Sequence, residues 1–95
     1  MGEVDAFEVP GFKCYFPAAD HYPQHFEVYR RGEYVVRVFF LRTNRTRGLS
    51  WEYKLQMRGR AFEPAHQDAI FQHVMKSKRK LLREWNAKVC PDRRM

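Results

Sequence analysis

The sequence predicts an α+β fold in which an antiparallel meander of about four strands packs against one long C-terminal helix. Residues 34–42 are rich in β-branched and aromatic side chains, which is typical of a central strand. Residues 49–58 alternate between apolar and polar side chains, with the period of a strand that has one wet face. Apolar side chains recur at helical spacing over residues 64–88, and such a stripe must lie on another element, for which the sheet is the candidate.

Two further strands precede these segments. The four predicted strands cover residues 11–16, 25–30, 34–42 and 49–58. A two-residue turn at Arg31-Gly32 would join the second strand to the third, and it would pair Tyr29 with Tyr34. In the last strand, the alternation predicts that five side chains share the apolar face: Leu49, Trp51, Tyr53, Leu55 and Met57. Pro64 suits the first turn of the helix, which we expect to end before Pro91.

A chain of 95 residues predicts a single domain, 1–95, with one core and one shallow site. We expect residues 1–10 to form a flexible acidic N-terminus and residues 90–95 a flexible basic tail. No run approaches the ~20 apolar residues of a membrane span, and the first residues lack a signal-peptide pattern, so we expect a cytoplasmic protein without membrane contact. Neither Cys14 nor Cys90 lies in a CxxC pair, which argues against a zinc ribbon and favours reduced thiols. We predict no cofactor.

The net charge of +7 is concentrated in two segments. Residues 30–60 contain nine basic and two acidic residues, and residues 76–95 contain eight basic and two acidic residues. A localised positive field attracts polyanions or acidic protein partners, although a charged solvated surface would also keep a small protein soluble. The candidate nucleic-acid-binding residues are Arg42, Arg45, Arg47, Lys54 and Arg58 in the first segment and Lys76, Arg79, Lys80 and Arg83 in the second.

The alternation of residues 49–58 bears on how such contacts would be made. It places Lys54 and Arg58 on the face opposite Trp51 and Tyr53. An aromatic stacking platform for RNA needs aromatic and basic side chains on one exposed face, so the pattern favours contacts to phosphates instead.

The loop before the second strand holds an unusual group of residues. Asp20, His21 and His25 lie together around Pro23 and could act as an acid/base pair on RNA, next to phosphate-binding arginines. They could also converge on a divalent metal, with a further ligand from Glu27, His66 or His73, but nothing in the sequence shows that these residues supply one, and we assign no metal site. In the structural alternative, Asp20 bonds to backbone amides and the histidines bond to backbone or water.

The same loop carries a resemblance to a known family. Phe16, the run Asp20-His21-Tyr22-Pro23-Gln24-His25-Phe26-Glu27-Val28 and the terminal Leu82-Arg83-Glu84-Trp85 resemble the small bacterial domain-of-unknown-function family number forty-one sixty. Its pattern is D/N-H-x-P-P-H-x-H-V followed by a hairpin and an L-x-x-W helix, and the similarity covers roughly residues 11–86. Gln24 stands where the family has a second proline, and Glu27 where it has a final histidine. The resemblance implies a bacterial cytoplasmic protein, a component of a toxin–antitoxin-like gene pair, and no known reaction.

Three functions follow as hypotheses. The first, which we favour, is a small basic module that binds nucleic acid, because the charge is certain. The second is a small metal- or histidine-dependent hydrolase, similar to a ribonuclease, that uses Asp20, His21 and His25. The third is an interaction module for an acidic protein partner.

Overall fold

The computed structural model describes residues 2–17 and 23–89, and it confirms the predicted architecture. Four antiparallel strands form one open sheet in the order β1-β2-β3-β4. Their bounds are β1 Lys13–Tyr15, β2 Phe26–Arg30, β3 Tyr34–Val38 and β4 Trp51–Gln56, and one helix follows, α1 Pro64–Lys88. Within the described residues, no helix is long and apolar enough to cross a membrane.

Helix α1 covers one face of the sheet. Its buried side chains Ile70, Val74, Leu81 and Trp85 belong to the same core cluster as Phe26 and Val28 of β2 and Val36 and Val38 of β3. The helix begins at Pro64, whose missing N–H falls where an α-helix has no internal acceptor. These buried positions fix the rotation of the helix about its axis, and therefore decide which of its residues face solvent.

The turn between β2 and β3 is one residue longer than predicted. Residues 31–33 form the turn, in which the Glu33 amide donates to the Arg30 carbonyl oxygen at 2.9 Å. Arg30 therefore pairs with Tyr34, and Tyr29 pairs with Val35, so the predicted Tyr29–Tyr34 pairing is wrong. A slip of one residue exchanges the two faces of a strand. The observed register places Tyr34 with Val36 and Val38 against the helix, where all three are fully buried or nearly so.

A β-bulge interrupts the predicted alternation of β4. Leu55 pairs with Val35, whereas Tyr53 pairs with Val36, so Lys54 is an extra residue on this strand. The bulge moves the residues after it to the other face. Leu55 is 54% exposed and Met57 is 46% exposed, so the prediction that both share the buried face with Trp51 and Tyr53 is wrong.

The acidic N-terminal segment packs on the edge of the sheet, which its composition did not indicate. The Val4 amide donates to the Cys14 carbonyl oxygen at 2.9 Å, and Val4 and Val9 are buried in the core cluster. At the end of α1, the Lys88 ammonium lies 2.7 Å from the Asp5 carboxylate and 2.8 Å from the Glu3 carbonyl oxygen. Apolar burial and this ammonium therefore connect the described residues 2–10 to the fold, and the predicted flexibility of residues 1–10 stays a prediction. The predicted basic tail, residues 90–95, lies outside the described residues.

A candidate nucleic-acid interface

All nine predicted phosphate-binding cations are exposed, and eight of them form no salt bridge with the described residues. The eight without a salt bridge are Arg42, Arg45, Arg47, Arg58, Lys76, Arg79, Lys80 and Arg83, and the ninth is Lys54. Among the described residues, the cations that form salt bridges are Arg30, Arg37, Lys54 and Lys88. Lys54 is therefore the one member of the predicted set that has a carboxylate partner in the described part of the chain.

Four of these cations form a row along the solvent side of α1, which we call the helix flank (Lys76, Arg79, Lys80 and Arg83). All four are exposed, and successive members are one to three residues apart. At 1.5 Å of rise per residue, the row extends over about 10 Å of helix. Because Trp85 and the other buried positions fix the helix rotation, the whole row faces away from the sheet.

The second group lies on the connection between β3 and β4, which we call the arginine loop (residues 42–48). Thr43 is fully buried at its base. The Thr43 hydroxyl donates to the Phe39 carbonyl oxygen at 3.2 Å and accepts from the Ser50 amide at 3.0 Å. At the tip, the Arg47 amide donates to Asn44 Oδ1 at 2.8 Å. The loop is therefore held by its own hydrogen bonds, with its arginines directed outward.

The arginine loop and the C-terminal half of α1 meet at the same end of the sheet. The Arg42 guanidinium lies 5.7 Å from the centre of the Phe39 ring. The Phe39 ring lies 5.6 Å from the His25 ring, which in turn lies 6.1 Å from the indole of Trp85. These three contacts connect the loop to α1 two residues after Arg83. The arginine loop and the helix flank therefore belong to segments that lie at the same end of the sheet.

The remaining two candidates lie elsewhere and have different surroundings. Arg58 follows the opposite end of β4, where the Met57 amide donates to the Glu33 carbonyl oxygen in the β2–β3 turn. The Lys54 ammonium lies 3.0 Å from the carboxylate of Glu27, whose side chain is only 7% exposed. Lys54 neutralises a buried charge on the open face of the sheet, so it contributes less than the others to an external positive field.

The open sheet face is polar but largely neutral. The Tyr29 hydroxyl also donates to Glu27, at 3.0 Å, and burial together with this bond raises the pKa of Tyr29. Arg37 and Glu52 form a second ion pair on this face at 2.8 Å. With Arg37 and Lys54 paired, the exposed Lys13 of β1 is the cation on this face that has no carboxylate partner among the described residues, so the face offers little net charge to a polyanion.

The predicted catalytic residues receive limited support from the geometry. Asp20 and His21 lie outside the described residues. His25 is 5% exposed, and its Nδ1–H donates to the Pro23 carbonyl oxygen at 2.9 Å. The His25 ring packs between the rings of Phe39 and Trp85, so its imidazole faces the core. A catalytic role for the three residues stays a prediction.

The other two described histidines, His66 and His73, and the described cysteine also have core contacts. His66 Nδ1 and the Tyr34 hydroxyl share a hydrogen bond of 3.1 Å, and the His73 ring stacks on Phe7 at 4.9 Å. Burial, with a smaller contribution from the charge of Glu3, raises the pKa of the Cys14 thiol to about 12, so this thiol is a poor nucleophile at neutral pH. Over residues 2–17 and 23–89, no three His, Cys, Asp or Glu side chains are grouped so that they could hold a metal ion.

The chain was compared with protein-family models, with curated proteins and with solved structures, and none of the three comparisons gives a match. The resemblance to the family forty-one sixty stays a prediction, as does the toxin–antitoxin association that it implies.

Proposed function

We propose that this protein binds nucleic acid through the phosphate backbone, and that the helix flank and the arginine loop form the contact surface. One observation carries the proposal: seven exposed cations lie on two segments that reach the same end of the sheet, and none has a carboxylate partner among the described residues. A cation without an internal partner is available to a phosphate, and each such contact releases counterions from the polyanion.

Binding is favoured over hydrolysis because the residues needed for binding are accessible, whereas the described histidine needed for hydrolysis is buried. The cations of the helix flank are exposed, whereas His25 is buried and its Nδ1–H is engaged with a backbone carbonyl oxygen. A general acid or base must reach the proton that it transfers, within about 3 Å or through one water. Contact with phosphates requires only the accessible charge that the described residues present.

The test is the salt dependence of binding to a labelled DNA duplex, followed by fluorescence anisotropy between about 50 and 200 mM NaCl. Each phosphate contact contributes about 0.9 to the slope of log Kobs against log salt concentration. Replacing Lys76, Lys80 and Arg83 together with alanine is expected to reduce the magnitude of the slope by roughly two to three. The matched control replaces Arg31, Arg58 and Arg60, which are also exposed but lie towards the other end of the sheet.

Three results would overturn the proposal. The first is the absence of binding even at low salt. The second is an equal loss of slope in the two triple variants, which would remove the argument that one end of the fold is used. The third is displacement of the duplex by polyglutamate at equal charge, which would favour an acidic protein partner. Circular dichroism of both variants checks that α1 is intact.

A further inference from the structure

An open cavity of about 600 Å³ lies between the arginine loop and the start of β4. Its lining residues include Arg42, Asn44, Arg47, Ser50 and Trp51. Two exposed arginines and a partly buried tryptophan therefore border one concave site. The alternation of residues 49–58 separates Trp51 from Lys54 and Arg58, but it does not place Trp51 relative to the arginine loop.

The cavity is built from parts whose positions are fixed. Buried Thr43 bonds to both sides of the loop base, and reciprocal backbone bonds join Asn44 and Gly48, with the Gly48 amide donating at 2.7 Å. Gly48 has a φ of 81°, a conformation that side chains with a Cβ rarely adopt. The Phe39 ring lies under the Arg42 guanidinium, which limits its freedom.

The indole of Trp51 is held in a similar way. It makes edge-type contacts with Tyr53 and Phe62, each with ring centres 4.8 Å apart and planes nearly perpendicular. Trp51 is nevertheless only partly buried, and it forms one wall of the cavity. An aromatic side chain that is supported in this way and still accessible can stack against a flat ring with little loss of conformational freedom.

We propose that this cavity binds one nucleotide of a single-stranded nucleic acid, with a phosphate between Arg42 and Arg47 and the base stacked on Trp51. Arginine is suited to the phosphate because its planar guanidinium donates two parallel hydrogen bonds. The strand must be single because a base within a duplex has both faces covered by its neighbours. This inference rests on the proposed function and adds to it a preference for single strands.

The experiment uses the full chain and an oligothymidylate of about ten nucleotides. Anisotropy of the labelled strand reports binding, and tryptophan emission with the unlabelled strand reports stacking. Trp85 is fully buried, so quenching is expected to come from Trp51 and to disappear in Trp51→Phe. Trp51→Ala, which removes the stacking ring, should weaken binding by about fivefold or more, since stacking on one aromatic side chain accounts for a factor of this size.

The arginines are tested in the same assay. Arg42→Ala and Arg47→Ala should each weaken binding severalfold and lower the magnitude of the salt slope by about 0.7, the value per phosphate contact on a single strand. Arg31→Ala is the matched control, because Arg31 is equally exposed and lies in the turn at the other end of the sheet.

The outcomes separate this inference from the proposed function. If the strand binds without quenching tryptophan emission, or if Arg42→Ala and Arg47→Ala bind as Arg31→Ala does, the cavity is not the site, although binding through the helix flank stands. If neither the single strand nor the duplex binds at low salt, the proposed function itself is overturned. Should either Trp51 variant fail to fold, the quenching of the wild-type protein and the arginine variants still decide.

Discussion

Replacing Lys54 tests whether this cation stabilises the fold or contacts the ligand. Lys54 lies 3.0 Å from Glu27, whose carboxylate is almost completely buried. Lys54→Met keeps the apolar stem of the side chain and removes the charge. Loss of one partner from a fully buried pair costs about 3–5 kcal/mol. Because Lys54 is 43% exposed and Tyr29 continues to donate to Glu27, we expect a smaller loss, about 1–2 kcal/mol.

Urea unfolding followed by circular dichroism at pH 7 measures this loss, and a thermal scan should show a decrease in Tm of roughly 4–15 °C for a chain of this size. The matched control is Arg37→Met, which breaks the exposed pair with Glu52 and should cost less than about 1 kcal/mol. A double-mutant cycle with Glu27→Gln isolates the coupling between the two groups.

The reasoning is refuted if Lys54→Met costs no more than Arg37→Met, or if the coupling free energy in the cycle is below about 0.3 kcal/mol. The affinity of Lys54→Met for nucleic acid should stay close to that of the wild type. If it falls as far as that of Lys76→Ala, Lys54 belongs to the contact surface after all.

Two other predictions concern alkaline pH and the arginine loop. Burial raises the pKa of the Cys14 thiol and of the Tyr34 hydroxyl to about 12 each, from ordinary values of 9.0 and 10.0. Both pKa values are higher in the folded protein, so the stability linked to the protonated groups is present below about pH 9 and is lost as pH rises towards 12. Tm should therefore fall over this range, and Cys14→Ala should make the fall shallower. An unchanged pH profile of Tm in that variant would contradict the argument. Thr43→Val keeps the shape of a fully buried side chain but leaves the Ser50 amide without its acceptor, so the free energy of unfolding should fall by about 1–3 kcal/mol and the affinity for oligothymidylate should fall with it. Thr46→Val, at an exposed position of the same loop, should change neither quantity, and equal effects of the two substitutions would disprove the role given to Thr43.

The sequence predicted the order of elements because each element has its own period. The helix begins and ends at the expected residues, since its apolar spacing and Pro64 both act locally. The extra turn residue before Tyr34 and the bulge at Lys54 could not be read in this way. Each inserts one residue into a pairing, and the pattern of one strand carries no information about its partner's register.

The candidate interface was predicted in composition but not in arrangement. Eight of the nine predicted cations are exposed and without a carboxylate partner among the described residues, in agreement with their place in two basic segments. The pairing of Lys54 with Glu27 joins residues 27 positions apart, which net charge along the chain does not report. The proximity of Trp51 to Arg42 likewise depends on how the loop folds back at Thr43. The short separation of Arg42 and Trp51 in the sequence was the one indication that the two residues lie close together.

The bulge at Lys54 has a consequence for how copies of this protein behave when they are close together. β4 is an edge strand, and an edge strand can serve as a template on which another chain adds β-structure and begins to aggregate. An inserted residue bends and twists this template, and a charged side chain beside it adds a further obstacle. The opposite margin is blocked by residues 2–4, which pair with β1. Copies gathered at high local concentration along a polyanion would therefore lie side by side without joining their sheets.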